Sequence, residues 1–140
     1  MNELMRKSDD GFLIGESTGH TYCSILAETM EEKKLLYNLT SAPDGYLRDC
    51  INMELQVKHV YAETCEFVSE TGEITPGVRI VLITPDGKSY QCASKGIFNS
   101  LRRLFQTVGT PDQWGDEGIR IRMKQIAKKT NRAVLTFELV

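Results

Sequence analysis

The chain has 140 residues, is 41% hydrophobic and 26% charged, and holds 11 glycines but only 4 prolines, a balance that excludes a disordered or fibrous polymer. Its formal net charge of −2 excludes a uniformly basic surface, and no stretch approaches the ~20 apolar residues of a membrane span. The opening residues, Met1 to Asp10, lack the apolar centre of a signal peptide, so a cytoplasmic chain is expected.

Residues 1–20 are polar and show no sustained period, and are expected to form a flexible arm preceding one domain over 21–140. An apolar patch, Phe12-Leu13-Ile14, interrupts it: the segment reads as a frayed terminus, with a segment that docks on a neighbouring subunit and becomes ordered only there as the alternative. From Thr21 to Thr40 the pattern suggests two short strands around the polar Glu31 to Lys34 stretch, with a helix over Ile25 to Leu36 as the competing assignment. Ser41-Ala42-Pro43-Asp44-Gly45 then predicts a turn. Ile51 to Lys58 alternates apolar and polar residues as a half-buried strand does. The alternation slips at His59-Val60, as at a β-bulge, and the strand continues to about Val68.

Ser69 to Gly77 reads as a polar loop. Val78 to Thr84 is the most apolar run and predicts a central strand, which Pro85-Asp86-Gly87 turns back onto Lys88 to Ala93. The period then becomes helical: with Ser94 as cap, Ile97, Phe98, Leu101, Leu104, Phe105 and Val108 share a face, and Gly109 and Pro111 end it. Two more strands follow, Gly118 to about Lys128 and Ala133 to Val140. From Ile51 the order is long strand, strand, strand, helix, strand, strand. This predicts a mainly β chain with an OB-fold: a five-stranded Greek-key barrel, one helix between strands three and four, and an extra N-terminal strand pair or helix.

Charge is distributed unevenly along the chain. Residues 1–75 carry 6 basic and 14 acidic side chains, residues 76–140 carry 11 and 5, and 118–132 contain six Lys or Arg without an acid. In Gly118 to Lys124, Ile119, Ile121 and Met123 point to one side and Arg120, Arg122 and Lys124 to the other. At a rise of ~3.3 Å per residue the cations lie about 6.6 Å apart, near the phosphate spacing of an extended single strand. Lys128, Lys129 and Arg132 continue the row into the last hairpin, whereas the competing assignment pairs these cations with the acidic N-terminal half.

A sequence-tolerant strand binder also needs aromatic platforms. Tyr90, beside Lys88, and Tyr61, past the bulge, are the strand candidates; Tyr37, Tyr46 and Trp114 lie in or near expected loops, and Arg79 adds a cation on the central strand. Phe98 and Phe105 are expected in the core. His20 and His59 have no catalytic motif around them, and neither a nuclease-type set of carboxylates nor a phosphate-binding glycine loop is present, so a non-enzymatic protein is expected. The cysteines, Cys23, Cys50, Cys65 and Cys92, form no Cys-x-x-Cys pair and have no histidine at zinc spacing. Reduced, half-buried thiols are expected, with neither metal nor cofactor.

Several of these features together resemble a family. They are Leu35 to Leu39 with Pro43-Asp44-Gly45 after it, the Pro85 to Tyr90 hairpin, the Ala93-Ser94-Lys95 opening of an amphipathic helix, and the closing Arg120 to Lys129 and Ala133 to Val140 runs. From about Thr21 to Val140 the chain is similar to the small single-stranded-DNA-binding proteins of Gram-positive conjugative plasmids and protein-primed phages. The resemblance implies an OB-fold that coats single strands without sequence preference during replication or transfer of a mobile element. Self-association through the N-terminal arm or along DNA, and no membrane partner, are expected with it. Housekeeping bacterial strand binders are similar in fold but recruit enzymes through an acidic tail, and recruitment of that kind is not expected of a sequence ending at Leu139-Val140. Two rival functions remain, an interaction barrel that docks an acidic protein and an RNA binder of the cold-shock type.

Overall fold

The computed structural model describes residues 21–127 and 133–140, so the expected N-terminal arm, with Phe12-Leu13-Ile14, lies outside the described residues, as do Lys128, Lys129 and Arg132. Among the described residues, eight strands form two antiparallel-rich sheets. They are β1 (Thr21–Cys23), β2 (Gly45–Tyr46), β3 (Glu54–Val57), β4 (His59–Val68), β5 (Ile74–Ile83), β6 (Ser89–Cys92), β7 (Ile119–Ala127) and β8 (Ala133–Leu139). The first sheet runs β1-β4-β5-β6-β2 and the second β3-β7-β8. Two α-helices accompany them, α1 (Met30–Ser41) and α2 (Lys95–Thr107). Among the described residues no helix is long and apolar enough to cross a membrane.

The expected long strand is present and serves both sheets. Its first part, β3, pairs with β7 from Glu54↔Arg122 to Val57↔Ile119, and its second, β4, pairs with β5 from His59↔Ile83 to Val68↔Ile74. Lys58 separates them, its N–H donating to the Ile83 carbonyl. The strand starts later than its alternation suggests, because Asn52 takes a positive φ of 68° and reverses the chain after the 3-10 turn Leu47–Cys50. Met53 consequently stays exposed. β5 starts earlier than expected, since only Ser69 to Glu73 turn: the Ser69 N–H donates to the Glu73 carbonyl and the Gly72 N–H back to Ser69.

The predicted strand over Leu35 to Leu39 is a correction: these residues lie in α1. Thr29 caps the helix, its Oγ1 accepting the Glu32 N–H at 3.2 Å while Glu32 Oε1 accepts the Thr29 N–H at 2.9 Å. This reciprocal capping box satisfies two otherwise orphaned donors and outweighs the apparent strand alternation. Leu36 and Thr40 face the sheet, with Cys23 and Ala27 completing a small second core.

α2 forms where its apolar face predicts, with Ser94 Oγ accepting the Ile97 N–H. Ile97, Leu101, Leu104 and Phe105 enter the main core, where Val60, Ile80, Leu82, Ile121 and Met123 meet them from both sheets. Each such aliphatic chain contributes roughly 1.5–3 kcal/mol by leaving water. Val108, expected on that face, is exposed at the C-cap.

The two sheets do not close into a barrel among the described residues. Closure would require the free edges of β6 and β8 to meet, and both are occupied. β2 pairs in parallel with β6, Gly45↔Tyr90 and Tyr46↔Gln91. The start of α2 lies against β8: a Cβ on Gly96 would collide with the Leu135 carbonyl, and the Ser100 and Thr136 hydroxyls are hydrogen-bonded at 2.6 Å. A cleft of about 1090 Å³ stays open between the sheets.

Candidate functional site

The alternating row on β7 forms as its pattern predicts, with Ile121 and Met123 in the core and Arg120 and Arg122 on the outer face of the three-stranded sheet. Pairing brings acids to the same face. Arg122 donates through Nη2 to Glu54 Oε2 at 2.7 Å on β3 and through Nη1 to Glu138 Oε2 at 3.1 Å on β8. The hydrogen bond to Glu54 leads in raising the guanidinium pKa, with Glu138 adding to it. Arg120, 57% exposed, lies 3.6 Å from Glu54 Oε1 and donates through Nε to Gln56 at 3.2 Å. Lys124 continues the row opposite Thr136. The competing assignment, with the cations paired to the acidic N-terminal half, matches the Glu54 contacts of Arg120 and Arg122, but Arg122 also meets Glu138 of the basic half.

Arg79 is held more closely. On the outer face of the five-stranded sheet its guanidinium donates to Glu63 Oε1 at 3.0 Å, to Gln91 Oε1 at 3.0 Å and to the Thr40 carbonyl at the end of α1. Tyr61 lies half-buried on the same face, packed against the core beneath α1. Burial, then the Glu63 carboxylate, push its hydroxyl up to about 12.

Trp114 is a packing residue. Its ring meets Phe105 edge-on at 6.1 Å, Phe105 meets Tyr22 at 5.4 Å, and the indole N–H donates to the Gly109 carbonyl at 2.9 Å. Tyr90 packs against the main core with its ring beside Gly45, so both rings are partly buried. Lys88 is exposed at the end of the β5–β6 turn, where Gly87, at φ 87°, allows the reversal.

The open aromatic and cationic groups gather elsewhere. Tyr46, 44% exposed on β2, lies beneath the Arg48 guanidinium, 4.5 Å from the ring centroid. Both border the cleft between the sheets, as does exposed Lys95 at the start of α2. Gln125 of β7 and Val134 of β8 line its other side. In sequence, the connection between those strands is 128–132, with Lys128, Lys129 and Arg132.

No family model, curated protein or solved structure matches the chain. Function is therefore argued from this geometry. A half-open tyrosine with an arginine over its face can stack a base and meet its phosphate. The sequence pattern places Tyr46 among the loop aromatics and does not single out Arg48 or Lys95. The signal available was the Tyr46-x-Arg48 spacing directly after a Pro-Asp-Gly turn, too short to stand out.

The thiols show no activation. Burial pushes Cys23 and Cys92 up to about 11 and also raises Cys50 and Cys65, the reverse of what a nucleophilic cysteine needs.

Proposed function

We propose that the chain is a non-enzymatic, sequence-tolerant single-stranded-DNA-binding protein built on an opened OB-fold, acting in replication or conjugative transfer of a mobile element. Connectivity supports the fold assignment: one bent strand, β3–β4, pairs with β5 on one side and β7 on the other. The β5–β6 hairpin, α2, and the β7–β8 hairpin follow in the order of that barrel. Only the β6–β8 seam is replaced, by β2 on one edge and α2 on the other.

The observation that carries the binding function is the coincidence of Tyr46, Arg48 and Lys95 on the rim of the open cleft. The β7–β8 connection brings three further cations in sequence, and self-association along DNA through residues 1–20 belongs to the same proposal. The row Arg120–Arg122 becomes secondary, because a phosphate would have to compete with Glu54 and Glu138 for the same guanidinium donors.

Fluorescence anisotropy with labelled poly-dT, beside matched duplex DNA and RNA, tests this at low and moderate salt. Single-strand binding should weaken with a slope near −0.7 per phosphate neutralised. Tyr46→Ala should weaken it about tenfold. Absence of binding at low salt would refute the proposal, and tighter binding of RNA would replace it with the cold-shock-type function.

A further inference from the structure

A second depression, about 570 Å³, runs beside α1. Lys33 and Tyr37 of α1 border it, and Arg79 and Gln91 border both it and the cleft between the sheets. Those two side chains are joined by the 3.0 Å hydrogen bond, so the depressions adjoin at a shared polar border. The chain passes from one depression, at Lys33 to Ser41, to the other, at Tyr46 and Arg48.

Each of the two adjoining depressions is bordered by a tyrosine and a cation. At one, Arg48 lies over Tyr46. At the other, Lys33 and Tyr37 are four residues apart on one helix face, and Tyr37 is 69% exposed. A ring beside a cation, repeated, matches a polymer in which a base and a phosphate repeat. The described linings hold four cations, Lys33, Arg48, Arg79 and Lys95, against two carboxylates, Glu63 and Glu66. That balance favours a polyanion even though the whole chain is acidic.

We propose that a bound single strand follows both depressions as one groove, with α1 forming a second binding unit in which Tyr37 stacks a base and Lys33 meets a phosphate. This rests on the single-strand-binding function proposed above and adds to it the path of the strand and an element outside the barrel order. Oligonucleotides long enough to reach both rings use both units; the shortest use Tyr46 and Arg48 alone.

The experiment is an anisotropy titration of poly-dT oligonucleotides from about 4 to 24 nucleotides, spanning the usual site sizes of such folds. It compares the unaltered protein with Tyr37→Ala, Lys33→Ala and Lys34→Ala, the last an exposed helix cation outside the groove lining. Far-UV circular dichroism confirms that each variant is folded. On the longer oligonucleotides Tyr37→Ala should weaken binding about tenfold. Lys33→Ala should reduce the salt slope by about 0.7. The shortest oligonucleotides should show neither change. If the unaltered protein binds but Tyr37→Ala and Lys33→Ala match Lys34→Ala at every length, the α1 path is wrong while strand binding at the cleft stands. If the unaltered protein binds no single strand, both fail together.

Discussion

The outer face of the three-stranded sheet and the rim of the cleft carry similar cations in opposite circumstances. On the sheet, Arg122 lies between Glu54 and Glu138, one from each neighbouring strand, and Arg120 shares Glu54. On the rim, Arg48 lies over a tyrosine ring and Lys95 opens a helix with no acid in its first turn. A cation's availability thus depends on what pairing sets opposite it, and a single strand's alternation carries no information about its neighbours. The lower charge density on the rim is the more usable.

The comparison sharpens first at Trp114, which lines neither the outer sheet face nor the cleft. Trp114→Ala should cost about 3 kcal/mol in urea unfolding by removing the Phe105 contact and the bond to Gly109, with single-strand affinity of the folded fraction unchanged. A large affinity loss at full stability would return Trp114 to the binding surface. Next, Arg48→Glu should weaken poly-dT binding more than tenfold and Arg122→Glu less than threefold, and equal losses in parallel anisotropy titrations would erase the distinction between the two regions.

A smaller effect is expected from Glu54→Gln. Freeing Arg120 and Arg122 should raise affinity about twofold and steepen its salt dependence, while this exposed, solvent-screened network gives up little stability. Finally, His59, where the long strand passes from one sheet to the other, titrates. Burial, with Lys58 beside it, holds the His59 imidazole below its ordinary 6.5. The unfolded chain therefore binds that proton more readily, so this contribution to stability is complete above about pH 6.5 and declines as pH falls through the window beneath it. Melting temperatures across that window should fall less steeply in His59→Gln than in the unaltered protein.

Much of the fold was legible because its signals are local. The α2 face from Ile97 to Phe105, the Pro85–Gly87 turn and the slip at His59 each depend on neighbours a few residues apart. The capping box of α1 was equally local, in Thr29 and Glu32, but the apolar Leu35-Leu36-Tyr37 run obscured it, since only Leu36 is buried there. The site was less legible for a different reason. Arg79 meets Glu63, Gln91 and Thr40, and Arg122 meets Glu54 and Glu138, at separations of 12 to 68 residues that are set by how strands and helix pair, not by any local period. The occupied edges of β6 and β8 likewise depend on Gly45 and Gly96 arriving from other parts of the chain.

The single residue between β3 and β4 has a consequence for how this protein can vary among its descendants. Lys58 is where one run of chain leaves the sheet of β7 and joins that of β5. Because side chains alternate with a period of two, one residue gained or lost there would exchange inside for outside along a whole half of the run. Leu55 and Val57, or Val60 and Ala62, would turn to water. Length changes should therefore collect at Ser69–Glu73 and Pro85–Gly87, whose turns can grow without disturbing either register, and be purged at Lys58.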